Sequence, residues 1–150
     1  MRALVQRVST AEVLIDGKSA ARIGAGLLVL LGIEEADQDE DIEWLAGKLA
    51  RLRIFSDSEG KMNACITEIG GDALVVSQFT LHASTKKGNR PSFIRAARPE
   101  AAIPLYEKFL ARLEGEIGRP VGRGVFGADM KVSLVNDGPV TIWMDTKAKE

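Results

Sequence analysis

Three neutral polar side chains, Ser77, Gln78 and Thr80, follow directly on the apolar run Leu74-Val75-Val76, which two glycines precede. The pattern predicts a buried strand entered from a turn. Polar groups at the end of such a strand must find partners, either in the protein or in a ligand. The stretch therefore reads in two ways, as a strand leaving the core with its hydroxyls satisfied or as a binding edge.

What chemistry these groups could do depends on a base. A hydroxyl nucleophile at Ser77 or Thr80 must be activated by a neighbour. His82 is the single histidine, and it follows Ser77 by five residues on one short segment, a poor geometry for a triad. Lys86, the nearest lysine, falls in a polar loop. The residues thus support a cleft of neutral polar groups and leave the reaction open. Cys65 lies between Ala64 and Ile66 and reads as a small buried hydrophobe. One cysteine and one histidine are too few for the usual zinc site. The acidic run Glu34, Glu35, Asp37, Asp39, Glu40 and Asp41 lacks the spacing and central glycine of a calcium loop, and suits a helix start. Gly122, Gly124 and Gly127 match neither a dinucleotide fingerprint nor a phosphate loop. No metal and no cofactor are expected.

Immediately after the polar stretch comes the basic segment of the chain, with Lys86, Lys87, Arg90, Arg95 and Arg98 around Phe93. Cations interleaved with an aromatic can hold phosphates and stack a base. The same pattern also describes a solvated surface, with Phe93 as a core residue. Loops leaving strand ends concentrate binding groups, so position favours the first reading.

The elements that must position these residues follow from periodicity. At 150 residues the chain is expected to be one domain with a real core, its last residues, about 146–150, frayed. The net charge of −1 does not advertise nucleic-acid binding, although a local patch can hide in a neutral total. The opening residues lack a sustained apolar segment, and the longest apolar run, Leu27 to Leu31, is too short to span a membrane. A cytoplasmic protein is the expectation. Residues 2–8 read as one short mixed segment and Val13-Leu14-Ile15 as another, and Asp16-Gly17 between the latter and Ala20 to Ile23 predicts a hairpin. Leu27 to Ile33 is apolar on both faces and predicts a strand covered on both sides. Ile42, Leu45, Leu49 and Leu52 predict a helix reaching about Arg53. Ile103, Tyr106, Leu110, Leu113 and Ile117 predict a second, ended by Gly118 and Pro120. Met130 to Leu134 alternates as a strand, and Asn136-Asp137-Gly138-Pro139 reads as a tight turn before a further strand, with Gly138-Pro139 able to take a cis bond.

Taken together the segments resemble the bacterial-type D-aminoacyl-tRNA deacylase family over essentially the whole chain. The resemblance rests on Gln6-Arg7-Val8, on Gly24 through Gly32, and on Arg53-Ile54-Phe55-Ser56-Asp57 with Gly60-Lys61-Met62-Asn63. It continues in Ser77-Gln78-Phe79-Thr80-Leu81, Arg90-Pro91-Ser92-Phe93, Ala128-Asp129-Met130 and Val132 through Thr141. The combination of Ser-Gln-Phe-Thr with Asn-Asp-Gly-Pro is its most specific part. The resemblance implies an α+β fold of layered, mostly antiparallel β-sheets with helices packed on one side. It implies hydrolysis of the ester joining a D-amino acid, or glycine, to the terminal adenosine of tRNA, by a homodimer with its sites at the interface and no obligatory protein partner. Ser77, Gln78, Phe79 and Thr80 match the motif lining the adenosine and amino-acid pocket. Gly138 and Pro139 match a cis dipeptide that enters the partner's site and screens chirality through backbone carbonyls. Lys86, Lys87 and Arg90 are expected to meet tRNA phosphates. The family's chemistry has been assigned both to a nucleophilic threonine and to the ribose 2′-hydroxyl. The want of a base for Thr80 favours the second. Two departures stand out: His82, where many relatives carry a small or apolar residue, which implies an extra polar contact near the pocket, and Val125-Phe126-Gly127 in place of a glycine-arginine-phenylalanine form, which bears on how that loop shapes the pocket rim. The rivals are a tRNA- or nucleotide-binding module without catalysis and a hydrolase of free amino-acid esters or peptides.

Overall fold

The computed structural model of the chain describes residues 1–149. Strand β1 (Arg2–Ile15) turns at Asp16 and Gly17, both with positive φ, into β2 (Lys18–Ile23). Next come β3 (Gly26–Gly32), helix α1 (Asp39–Ala50), the small ribbon of β4 (Phe55–Ser56) and β5 (Met62–Ala64), and β6 (Asp72–Ser77). A 3-10 turn (Phe79–His82) follows β6, then α2 (Pro99–Ile117), β7 (Gly122–Arg123) and β8 (Lys131–Asp145). This is an α+β fold.

The main sheet runs β2-β1-β3-β6-β7, with β8 on the other side of β1. The pairs made by β1 are antiparallel, whereas β3–β6 and β6–β7 are parallel. Parallel strands need cover on both faces, and the all-apolar β3 has it. On one face lie Leu27, Val29, Leu31 and Val75 with α1 and α2, through Leu45, Leu49, Tyr106, Phe109 and Leu110. On the other, Leu28, Leu74 and Val76 meet Val8, Ala11, Val13 and Ile23. The distal half of β1 and its partner β2 therefore fold over the sheet, and both helices stay on the opposite side.

Several local expectations need correcting. Residues 2–15 form one continuous strand, because β1 crosses from one core to the other and so changes its apolar pattern midway. The segment with Asn136-Asp137-Gly138-Pro139 is not a turn between two strands. It is a bulge inside β8: Gln6 pairs with Thr141 and Val8 with Asn136, so residues 137–140 oppose Arg7 alone. Helix α1 stops at Ala50, three residues short of Arg53, and Leu52 is only half-buried. Ile103 is exposed, and Ala102 and Phe109 take its place in the buried stripe of α2. Cys65 is half-buried, its Sγ 3.1 Å from Thr67 Oγ1. Nor does the chain end fray from residue 146. Thr146 is buried, its N–H donates to Met1 O, and Lys147 Nζ donates to Asp41 Oδ2 at 2.7 Å. Glu150 lies outside the described residues.

The acidic run is taken up structurally. The Met1 amino group is buried against Asp37 and Thr146, Asp41 accepts from the N–H of Gln38, and Asp39 and Glu34 pair with Lys108 and Arg95. Burial works against the Asp41 carboxylate, but its bonds from Lys147, Thr146 and Gln38 outweigh this and hold its pKa at about 2.

Helix α2 is tied to the sheet by one buried polar contact, in which Tyr106 donates to Val75 O at 2.9 Å. Val75 O also accepts from the Gly124 N–H at 3.1 Å, so losing the hydroxyl leaves that carbonyl partnered. Tyr106→Phe is therefore expected to destabilise by only about 0.5–1 kcal/mol, the lower range for a buried hydrogen bond. Urea unfolding of the two proteins measures it, and a loss several times larger would mean that the hydroxyl holds more than this carbonyl.

Candidate active site

Strand β6 delivers its polar end to an open cavity of about 340 Å³. Register explains the position. Leu31 pairs with Ser77, the Gln78 N–H donates to Leu31 O at 2.7 Å, and the chain then turns away through the 3-10 segment. Close approach at both ends of β3 permits this. A Cβ on Gly26 would lie 1.8 Å from Asp72 O, and one on Gly32 would lie 3.0 Å from both Gln78 O and Leu81 Cβ. Only glycine lets β6 and its turn come so near.

Ser77, Gln78 and Phe79 line the cavity with Leu31, Ile33 and Val76 on one side. Residues 126–130 and Val132 close the other, and Ala97 and Ala102 complete the wall. The loop and Val132 were marked in sequence by the family motifs and by the departure at Val125-Phe126-Gly127, whereas Ala97 and Ala102 carried no signal beyond a run of small and apolar residues. Thr80 is exposed on the turn, and its Oγ1 accepts from Gln78 Nε2 at 2.5 Å. An amide cannot take up a proton, so this contact orients the threonine without activating it. Asp129 is the single ionisable residue of the lining, and its carboxylate pairs with Lys131 in solvent. Apart from this paired carboxylate the cavity is uncharged, largely apolar, and edged by hydroxyl and amide groups.

His82 is turned away from the cavity and buried, with neither ring nitrogen in a hydrogen bond among the described residues. Burial pushes its pKa below the ordinary value; the Gly32 backbone and the Glu34 carboxylate lie near enough to oppose this, and Arg2 and the chain's amino group act with burial. It is neither base nor pocket contact but a packing residue behind the turn. Arg2 fastens the same turn from outside, donating to Leu81 O at 3.0 Å and to Asp145 Oδ2 at 2.8 Å.

The basic loop leaves the turn as an exposed lobe. Two bonds between Ser84 and Ser92, at 2.8 and 2.9 Å, close its neck. Lys86, Lys87 and Arg90 are exposed and form no ion pair among the described residues, whereas Arg95 is committed to Glu34. Phe93 is not a core residue. It is exposed and packs edge-on against Phe79, the ring centroids 5.1 Å apart.

Gly138 and Pro139 are joined by a cis bond, are exposed, and do not line this chain's own cavity. Asn136 spans the bulge, accepting from the Val140 N–H at 2.7 Å and donating to Val140 O at 3.2 Å. Arg7 holds it from beneath. Its Nε donates to Asp137 O at 2.7 Å and its Nη1 to Ile54 O at 2.6 Å. In the sequence Arg7 belongs to the Gln6-Arg7-Val8 motif, and in a half-strand that also carries Arg2 and Gln6 its charge alone does not mark it as a brace.

Comparison with known proteins bears on this arrangement. A family model described as D-Tyr-tRNA(Tyr) deacylase matches residues 4–145. Curated proteins called D-aminoacyl-tRNA deacylase from Akkermansia muciniphila and Bacteroides thetaiotaomicron are 63% and 61% identical, each over the full length of both chains. Among solved structures, one called c-Myc DNA Unwinding Element Binding Protein superposes with a TM-score of 0.91 at 39% identity, covering 97% of this chain and 98% of that one. A probable eukaryotic D-amino acid tRNA deacylase superposes at 0.81, covering 95% and 97%. At 20% identity it shows the fold alone.

The buried imidazole has a consequence for stability. With its pKa lowered by folding, the unfolded chain binds the proton first as pH falls below about 6.5, and stability drops over that interval. His82→Leu should show a flatter urea midpoint between pH 7 and 5.5 than the parent protein. Equal slopes would mean that His82 titrates alike in both states.

Proposed function

The chain belongs to the D-Tyr-tRNA(Tyr) deacylase family, and on that footing we propose that it hydrolyses the ester bond of D-aminoacyl-tRNA, releasing the free amino acid and tRNA. The observation that carries this reading is the neutral cavity edged by Ser77, Gln78 and Phe79, reached through a turn that presents Thr80. A terminal adenosine and its amino acid fit a pocket of this size, largely apolar with a few polar groups. Catalysis rests on positioning and on polarisation of the ester. Phe79 opens the 3-10 turn, where a backbone N–H has no partner within the turn and can meet the aminoacyl carbonyl. Thr80 is oriented by an amide and has no base, which favours attack assisted by the terminal ribose 2′-hydroxyl over a covalent threonine ester.

Chirality, on this proposal, is screened by the Gly138-Pro139 corner of a second copy of the chain. The corner is exposed and is not part of its own cavity's lining, yet it is braced by Asn136 and Arg7. Such bracing suits a rigid wall that rejects one stereoisomer by bulk. A homodimer with shared sites follows, and glycyl-tRNA, lacking a side chain to exclude, is a substrate of the same enzyme. Lys86, Lys87 and Arg90 serve the phosphates of the acceptor end. The rival reading is nucleic-acid binding without chemistry, and it draws on the DNA-binding name carried by the 39%-identical structure.

Matched D- and L-aminoacyl-tRNA decide between them: ester loss from the D form only is expected, and loss from neither would favour the binding module. Thr80→Val should retain at least about a tenth of the native rate and leave no covalent adduct, since a positioning contact contributes about 1 kcal/mol. An aminoacyl ester on Thr80 seen by mass spectrometry, or full activity on a 2′-deoxyadenosine-terminated substrate, would refute assistance by RNA. Arg7→Ala should leave a folded protein whose D-aminoacyl-tRNA hydrolysis falls about tenfold or more through misplacement of the corner. An unchanged rate would remove the corner from the mechanism.

A further inference from the structure

The cavity ends at an exposed apolar ledge that hydrolysis of a terminal ester does not use. Phe79 is 55% exposed, Phe93 37% and Ile94 89%. Single exposed apolar residues are ordinary, but contiguous ones beside a cavity mark a binding surface. The two phenyl rings meet at 76°, an edge-on contact that covers one face of one ring and leaves ring surface open. Phe79 lines the cavity, so the ledge continues directly from its mouth. The cross-link between Ser84 and Ser92 holds the neck of the cationic lobe next to Phe93, and Ala96 N–H bonds to Phe93 O at 3.0 Å, fixing the backbone on the other side. An aromatic face and exposed cations on the same closed-neck lobe are what a single-stranded nucleotide needs: a surface for its base and charge for its phosphate.

We propose that the Phe79–Phe93 ledge is a second nucleotide subsite, on which the base preceding the terminal adenosine stacks while Lys86, Lys87 or Arg90 meets the phosphate between the two. This rests on the deacylase reading and extends it from the terminal adenosine to the strand behind it. Phe93 does not itself line the cavity, and its one link to the lining is the ring contact with Phe79, so the mononucleoside rate reports whether that contact also supports the cavity. The subsite tolerates any base, because stacking uses the π-face, and it contributes to affinity for substrate and not to the chemical step.

A ladder of substrates tests it. Native protein, Phe93→Ala, Phe93→Leu and Phe93→Trp are compared on D-aminoacyl-adenosine, on the D-aminoacyl dinucleotide CpA, and on D-aminoacyl-tRNA. Native protein should show a KM about tenfold lower for the dinucleotide than for the mononucleoside, with kcat little changed. Phe93→Ala and Phe93→Leu should lose that gain while matching the native rate on D-aminoacyl-adenosine, and Phe93→Trp should keep it. The same gain in Phe93→Ala as in native protein would overturn the subsite. So would an equal loss on all three substrates, which marks Phe93 as a support of the cavity. Ester loss by native protein from none of the three would overturn the deacylase reading itself, a result distinct from either.

Discussion

The parallel pairing of β3 with β6 governs the rest of the molecule. It places an apolar strand beside another, so both faces must be covered, and two cores result. Helices supply one cover. The bent β1–β2 hairpin supplies the other. The same pairing ends with Leu31 beside Ser77, where the covered region stops and polar side chains can meet a ligand. Gly26 and Gly32 are the local condition for it, since a methyl group at either would push β6 or its turn away. Site and core are thus two ends of one strand pair, and an alteration that loosens the pair acts on both.

The second organising contact is the ribbon of β1 with β8. To reach from the helix-covered core to the opposite one, β1 bends, and β8 accommodates the bend by bulging opposite Arg7. A bulge in an edge strand exposes a backbone corner, which Arg7 and Asn136 then hold in one shape. The device proposed to read chirality is therefore a product of sheet curvature. Arg2 links the far end of this ribbon, through Asp145, to the turn carrying Thr80. Cavity and corner belong to one connected sheet although they lie apart on the chain's surface.

Charge plays little part in the proposed chemistry and a large part in holding the frame. The acidic residues near α1 and the basic ones around Glu34 and Asp41 pair with one another, whereas the cavity, apart from Asp129 with its Lys131 partner, holds hydroxyl, amide and apolar groups. A neutral site has no strong acid or base to offer an ester. It can orient one, exclude water from the wrong face, and place backbone donors where negative charge develops. Substrate-borne hydroxyls become correspondingly important on the proposed mechanism.

Local pattern was enough to determine the doubly covered β3, the Asp16-Gly17 hairpin, both helices, and the polar end of β6, because each depends on neighbours in the chain. The motifs from Gln6 to Thr141 were enough to recognise the family. Tertiary structure alone decided the remainder. Whether Asn136-Asp137-Gly138-Pro139 makes a turn or a bulge depends on the strand lying opposite, and the residues themselves suit both. Thr146 and Lys147 look like a solvated tail until Met1 and Asp41 are brought to them from the other end of the sequence. His82 reads as a polar pocket residue, but the 3-10 turn rotates it inward beneath Gly32. Phe93 suits either a base-stacking surface or a core position, and the lobe's closed neck sets it outside against Phe79. In each case the deciding partner is distant in sequence or its direction is set by a turn, and spacing along one chain carries no information about either.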